Sequence, residues 1–411
     1  MRNAIWSCYT QIKILNIGHV ATVSHRILQH LASMSKLVNI QILRAIAALT
    51  VVIYHLGVEA SKICDATKQA CAYDTTFGLN GVALFFMISG FIMVMISWDD
   101  FAKPGAALGF LRRRLERVVP LYWIVTSMAV VGVMIVPSLL SVPVTDLGYI
   151  VSSYLFWPVM RVNGLVRPIA NLGWTLDLEM MFYIVFTCAL SWKRATGLII
   201  SIILLFILTA LKLTGVFAAA GSLASVQLNF WGDPIILNFI IGMLAAVVYK
   251  KGLHLRRPLA LGTLALAIIA CIVMRVSLEG YMSGLPEDGL QNRLLGMVPA
   301  LLLFIAATFG PQIDVSQRFW RYAVVLGDAS YSVYLLHPFA LRPISKIWAM
   351  GVGTQLPPMM FALVGLPVAL AVSFGFYAWV ERPFVTFFHR RRKSQLLMRA
   401  DSGARLHAEL I

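Results

Sequence analysis

The chain has 411 residues, 59% of them hydrophobic and 13% charged, with 34 Lys and Arg against 18 Asp and Glu for a formal charge of +16. Apolar runs near twenty residues recur along it, which excludes a soluble globular core and indicates a polytopic helical membrane protein. No basic patch interleaved with aromatics stands on a soluble segment, so nucleic acid is excluded as the reason for the charge.

Residues 1–33 are mixed in character and lack the charged start, apolar core and small-residue cleavage site of a signal peptide. Met34 opens MSKLVNIQILRAIAALTVV, a natural start for a membrane protein, so residues 1–33 read as an upstream translation artefact or a disordered leader. From there the predicted fold is an all-α bundle of about ten spans with both termini cytoplasmic. The spans are 37–57, 78–97, 118–137, 173–191, 196–213, 232–249, 258–276, 294–310, 322–341 and 358–380. The short aromatic stretch 147–160 reads as interfacial or re-entrant, with an eleventh span as the alternative. In this topology twenty Lys and Arg fall in inner segments after the first span and seven in outer loops, as the positive-inside rule demands. The membrane domain covers 34–383 and a basic tail, including RRRK at 390–393, covers 384–411.

The first span holds Arg44 and His55. Eleven residues at about 100° each bring both side chains to one face, about 16 Å apart along the axis. Ionisable groups at membrane depth point to function. The spacing also permits Arg44 to snorkel to one interface while His55 sits in the other. Cys64 and Cys71 follow in the first outer loop, where a small disulfide or two free thiols fit equally. No His/Cys cluster has metal-ligand spacing.

In FLRRRLERVVPLYW, at 110–123, Arg113, Arg114 and Arg117 share about one helical turn, with Pro120 expected at the start of the following helix. Planar guanidiniums bind phosphate bidentately, so the cluster suits a polyanionic cytosolic molecule; inner loops also carry arginines for topology alone. In the fourth span, NLGWTLDLEMMFYIVF at 171–186 sets Trp174, Asp177, Glu179 and Tyr183 near the outer end, where Glu179 serves either proton exchange with a histidine or an ion pair tying two helices. The ninth span, with LGDASYSVYLLHP at 326–338, carries Tyr331, Tyr334 and His337 toward the level of His55, near Asp328.

Together these segments resemble the integral-membrane acyltransferase 3 family, and within it the exopolysaccharide-production ExoZ-like subgroup. The matching residues are Arg44 with His55, GVALFFMISGF at 81–91, RRxxR at 113–117, WTLDLEMMFY at 174–183, SYSVYLLH at 330–337 and ERP at 381–383. The resemblance implies an enzyme of the bacterial inner membrane that moves an acyl group, usually acetyl, from cytosolic acyl-CoA to a hydroxyl of an extracytoplasmic or lipid-linked polysaccharide. It implies catalytic roles for His55 and Arg44 and CoA phosphate binding by Arg114 and Arg117, with Arg113 beside them. It also implies a link to polysaccharide-synthesis machinery. Many relatives carry an acidic residue where this chain has Ala83, so Asp177, Glu179 or Asp328 is expected to orient the histidine instead.

The expected mechanism makes His55 the general base on an acceptor hydroxyl, Glu179 its support, and Trp174, Tyr331, Tyr334 and His337 the substrate wall. It expects one continuous cavity, with the arginines at the inner rim and the imidazole deeper, threaded by the pantetheine arm. A ping-pong route through an acyl-histidine is also open. The competing class is a proton-coupled transporter or flippase of a glycan precursor, disfavoured by the lack of repeated halves.

Overall fold

The computed structural model describes residues 37–68, 80–135, 146–161, 164–219, 224–277, 290–351, 359–388 and 390. These fold into helices α1 (Val38–Thr67), α2 (Gly81–Ser97), α3 (Ala106–Ile135), α4 (Leu147–Tyr154), α5 (Trp174–Ala189), α6 (Arg194–Leu213) and α7 (Val216–Ala219). The series continues with α8 (Ser225–Trp231), α9 (Leu237–Lys250), α10 (Arg257–Ser277), α11 (Leu290–Phe309), α12 (Arg318–Asp328), α13 (Ser330–Met350) and α14 (Met359–Phe376). No strand forms among the described residues; Met160 and Val166 make one isolated antiparallel bridge. The expected leader, and the tail past residue 390, lie outside the described residues.

Among the described residues six helical stretches are long and apolar enough to cross a membrane, or seven if the pair Ser225–Trp231 and Pro234–Lys250, bent by 43°, forms one span. The remaining expected spans correspond to helices that are shorter, such as Gly81–Ser97, or less apolar, such as α13 with Arg342 and Lys346. Two local readings need correction. Pro120 lies inside α3 instead of starting a helix, because α3 already begins at Ala106 and carries the arginine cluster on its first turns. The expected span 322–341 is two helices broken at Ala329. The stretch 147–160, read as interfacial or re-entrant, holds a helix of only 8 residues, roughly 12 Å long and too short for the alternative of an eleventh span.

Burial separates centre from periphery. The most apolar windows of α1 and of Asn171–Ala189 are 61% buried, whereas that of α10 is 17% buried, with Leu261, Leu266 and Ile269 exposed. A helix apolar on all sides and uncovered by protein is a lipid-facing one. At the centre, α2 and α9 touch backbone to backbone. A Cβ added at Gly90 would sit 2.2 Å from the Phe239 carbonyl oxygen, and one at Gly242 would sit 2.0 Å from that of Met87. Small residues allow this approach, which supplies the packing that holds helices together in lipid. The aromatic stack Phe86, Phe239 and Phe182, with centroids 4.5 and 4.1 Å apart, joins α2, α9 and α5.

The start of α1 is also tied to the end of α11 and the segment after it. Asn39 Nδ2 donates to the carbonyls of Ala307 and Pro311, both at 3.0 Å, and its Oδ1 accepts from the Ile313 N–H at 2.9 Å. Cys64, near the end of α1, is in a disulfide; Cys71, the partner considered from the sequence, lies outside the described residues.

Candidate active site

Helices α1, α3 and α13 run in the same sense through the centre, with α5 running against them, and two clefts are stacked along this common axis. The first, about 780 Å³ with its open mouth included, is lined by Arg44 of α1, Arg114 and Arg117 of α3, Glu179 and Tyr183 of α5, and Tyr331 of α13. The second, about 450 Å³, is lined by His55, then Val125 and Ala129 further along α3, and Phe339 and Arg342 further along α13. Progress from the first cleft to the second is therefore progress along each helix. On α1 it is the step from Arg44 to His55, about 16 Å at 1.5 Å per residue.

Three guanidiniums and one carboxylate line the first cleft. Glu179 Oε1 accepts from Ser89 Oγ at 2.7 Å and Tyr183 OH at 2.6 Å, and its charge reaches both Arg44 and Arg114. Arg114 is 8% exposed, its plane lies 5.6 Å from the Phe110 ring centroid, and its Nε has no partner within the protein. A buried guanidinium with an open donor is suited to an anionic ligand, since a buried donor left unpaired costs about 1–3 kcal/mol. Arg113 points elsewhere, to Asp100 at 3.7 Å, and does not line the cleft. Of the expected trio, Arg114 and Arg117 line the cleft, and Arg44 lies there with them. Spacing gives no hint that Arg44, the seventh residue of α1, joins the α3 arginines, because that depends on how the helices dock.

The second cleft fixes a tautomer. His55 Nδ1 lies 2.9 Å from the Val51 carbonyl oxygen, and a carbonyl can only accept, so Nδ1 carries the hydrogen and Nε2 keeps its lone pair. His337 repeats the arrangement with the Val333 carbonyl at 2.9 Å, and its buried Nε2 has no partner within the protein. The rings lie 5.0 Å apart between centroids. One turn beyond His55, Glu59 accepts from Lys62 and Ser345, both at 2.6 Å, and lies 3.9 Å from Arg342. Glu59, Arg342 and Ser345 were not singled out from the sequence. Their i+4 relation to His55 on α1, and one to two turns past His337 on α13, was the available clue.

Between the clefts stands a hydrogen-bonded layer. Tyr334 OH and Thr175 Oγ1 are 2.8 Å apart, and both reach the Leu172 carbonyl, at 3.3 and 3.1 Å. Tyr334 and Thr175 line the first cleft, Leu172 the second. The single open cavity expected from the sequence is therefore two clefts divided by this layer. Glu179 sits on the arginine side of it, so its expected partnership with His55 is replaced by Ser89 and Tyr183. Tyr331 OH donates to the Val118 carbonyl at 2.9 Å, and Trp174 lies outside both linings, with the Arg167 guanidinium 4.5 Å over its ring. Among the described residues no group of three or more His, Cys, Asp or Glu is placed to hold a metal ion.

The acyltransferase domain family matches residues 37–378, the whole of this helical framework. The chain belongs to that family. It is similar to the exopolysaccharide production protein ExoZ of Rhizobium meliloti, 33% identical over 77% of this chain and 92% of that protein. It is similar to the acyltransferase MdmB of Streptomyces mycarofaciens, 24% identical over 85% of this chain and 92% of the other. The O-acetyltransferase OatA of Staphylococcus aureus is 20% identical over 86% of this chain, which spans 59% of OatA. No solved structure matches.

Proposed function

We propose that this member of the acyltransferase family is an inner-membrane O-acyltransferase that takes an acyl group, acetyl by preference, from cytosolic acyl-CoA and delivers it to a hydroxyl of a lipid-linked or extracytoplasmic polysaccharide. The reading makes ten spans with both termini cytoplasmic, so that the arginine cleft opens inward and the His55 cleft outward. The observation that carries it is the stacking of an arginine-rich cleft and a histidine cleft on the same three helices. The names of two relatives, an exopolysaccharide production protein and an O-acetyltransferase, support the acceptor class.

In this reading Arg44, Arg114 and Arg117 hold the phosphates of CoA. Glu179, held by Ser89 and Tyr183, balances part of the Arg44 and Arg114 charge from a distance. A pantetheine arm of roughly 15 to 20 Å, about half the hydrocarbon thickness, covers the distance to His55 once the Tyr334–Thr175 bond opens. His55, with Nδ1 fixed to the Val51 carbonyl, accepts the hydroxyl proton at Nε2 as oxygen attacks the thioester carbonyl. The thiolate of CoA leaves and takes the proton, regenerating the neutral imidazole. The guanidinium of Arg342 lines the same cleft.

The test is purified protein with radiolabelled acetyl-CoA and crude polysaccharide, scored for labelled glycan and free CoA. His55→Ala is expected to lower transfer by about 10²- to 10⁴-fold with acetyl-CoA binding retained; unchanged turnover removes His55 from the chemistry. Two clefts either side of a closed layer also suit a flippase of glycan precursors. That reading predicts glycan movement across proteoliposomes without release of CoA.

A further inference from the structure

Resting on the acyltransferase reading, the charge around the second cleft narrows the acceptor. The charged neighbours of His55 are Arg342, Glu59 and Lys62, two cations against one carboxylate. Glu59 is already satisfied at close range by Lys62 and Ser345, and its contact to Arg342 is long, at 3.9 Å. Arg161, a further cation near Arg342, spends its donors on Tyr149 OH and on the carbonyls of Arg167 and Pro168, so it adds positive potential with no carboxylate of its own. Among the described residues the Arg342 charge is thus matched only loosely, by Glu59 at 3.9 Å, on a wall it shares with His55. The rest of that wall is largely apolar, including Val125, Ala129 and Phe339.

A guanidinium against apolar walls is poorly screened and pairs bidentately with planar oxyanions. If Arg342 served only to tie α13 to α1 through Glu59, a short bidentate contact would be expected, whereas the close bonds of that carboxylate go to Lys62 and Ser345. We infer that the His55 cleft is an acceptor subsite for glycans bearing an oxyanion, a carboxylate or phosphate, which Arg342 grips so that a neighbouring hydroxyl lies against His55. A neutral sugar would leave that half-buried cation with only its long contact to Glu59, and the subsite selects against it.

Diethyl pyrocarbonate modifies imidazole nitrogen, and peptide mass spectrometry follows the rate at His55 in the detergent-purified full chain without any need for turnover. Glucuronate, glucose 1-phosphate and glucose are the probes, each at the same saturating concentration and matched ionic strength. Protection of several-fold is expected from glucuronate, glucose 1-phosphate or both, and none from glucose. It should vanish in Arg342→Gln and persist in part in Arg342→Lys, which keeps the charge for folding. Protection by glucuronate alone assigns a carboxylated glycan, and by glucose 1-phosphate alone a phosphorylated one. Equal protection by glucose, no protection by either anion, or protection unchanged in Arg342→Gln overturns the inference. Because the readout is labelling, such a failure alongside intact acetyl transfer sinks this subsite alone, while loss of the acyltransferase reading shows separately in the His55→Ala assay.

Discussion

At the scale of single residues, the two histidines are set by one device, an Nδ1–H returned to the carbonyl four residues back in the same helix. That bond leaves the His337 Nε2 buried as an acceptor without a protein donor, an arrangement that costs about 1–3 kcal/mol. His337→Leu is accordingly expected to keep or raise the melting temperature in detergent while lowering acyl transfer on the order of tenfold. A fall in both would make the residue merely structural. Arg114→Gln removes charge-assisted bonds worth about 1.5–3 kcal/mol, so the KM for acetyl-CoA should rise by roughly 10- to 150-fold with a smaller change in kcat. Arg114→Lys should recover only part, since the planar fork is lost. The Arg44–His55 register was legible because it is internal to one helix. Partners such as Ser345 for Glu59, 286 residues apart, were not, because nothing local encodes which helices dock.

At the scale of elements, the layer made by Tyr334 on α13 and Thr175 on α5 would, in the proposed reaction, be the barrier between donor and acceptor. Tyr334→Phe deletes the hydroxyl that bonds Thr175 and Leu172, and the expected result is faster thioester hydrolysis without acceptor, measured as free thiol in the absence of glycan. A rate equal to wild type would mean that this layer does not separate the reactants. The contact of α2 and α9 gives a stability counterpart. Gly90→Val forces a side chain against the Phe239 carbonyl and should destabilise by about 1–3 kcal/mol or more, visible as a lower melting temperature. Helix existence was readable from apolar length and period. The break at Ala329 and the bend before Pro234 are marked only by short turn signals, Gly327–Asp328 and Gly232–Asp233, which the apolar residues around them outweigh.

For the whole molecule, Lys193 and Asp314 lie at the arginine end of the bundle and Leu165 at the histidine end. Single cysteines at the first two positions should resist a membrane-impermeant thiol reagent on intact cells, while Leu165→Cys should react; the reverse pattern would invert the proposed orientation. Positive-inside bias reads this orientation from basic loops, yet the order in which the pieces lock together is written only in the tertiary bonds. Asn39 opens the first membrane helix, but its amide partners lie 268 to 274 residues later in the chain. At a ribosomal pace of ~5–20 residues per second they emerge tens of seconds afterwards. The earliest span thus waits in the bilayer with its polar handle unclasped, making the last-made third of the protein the buckle that closes the ring and the nascent chain a client for whatever shields it meanwhile.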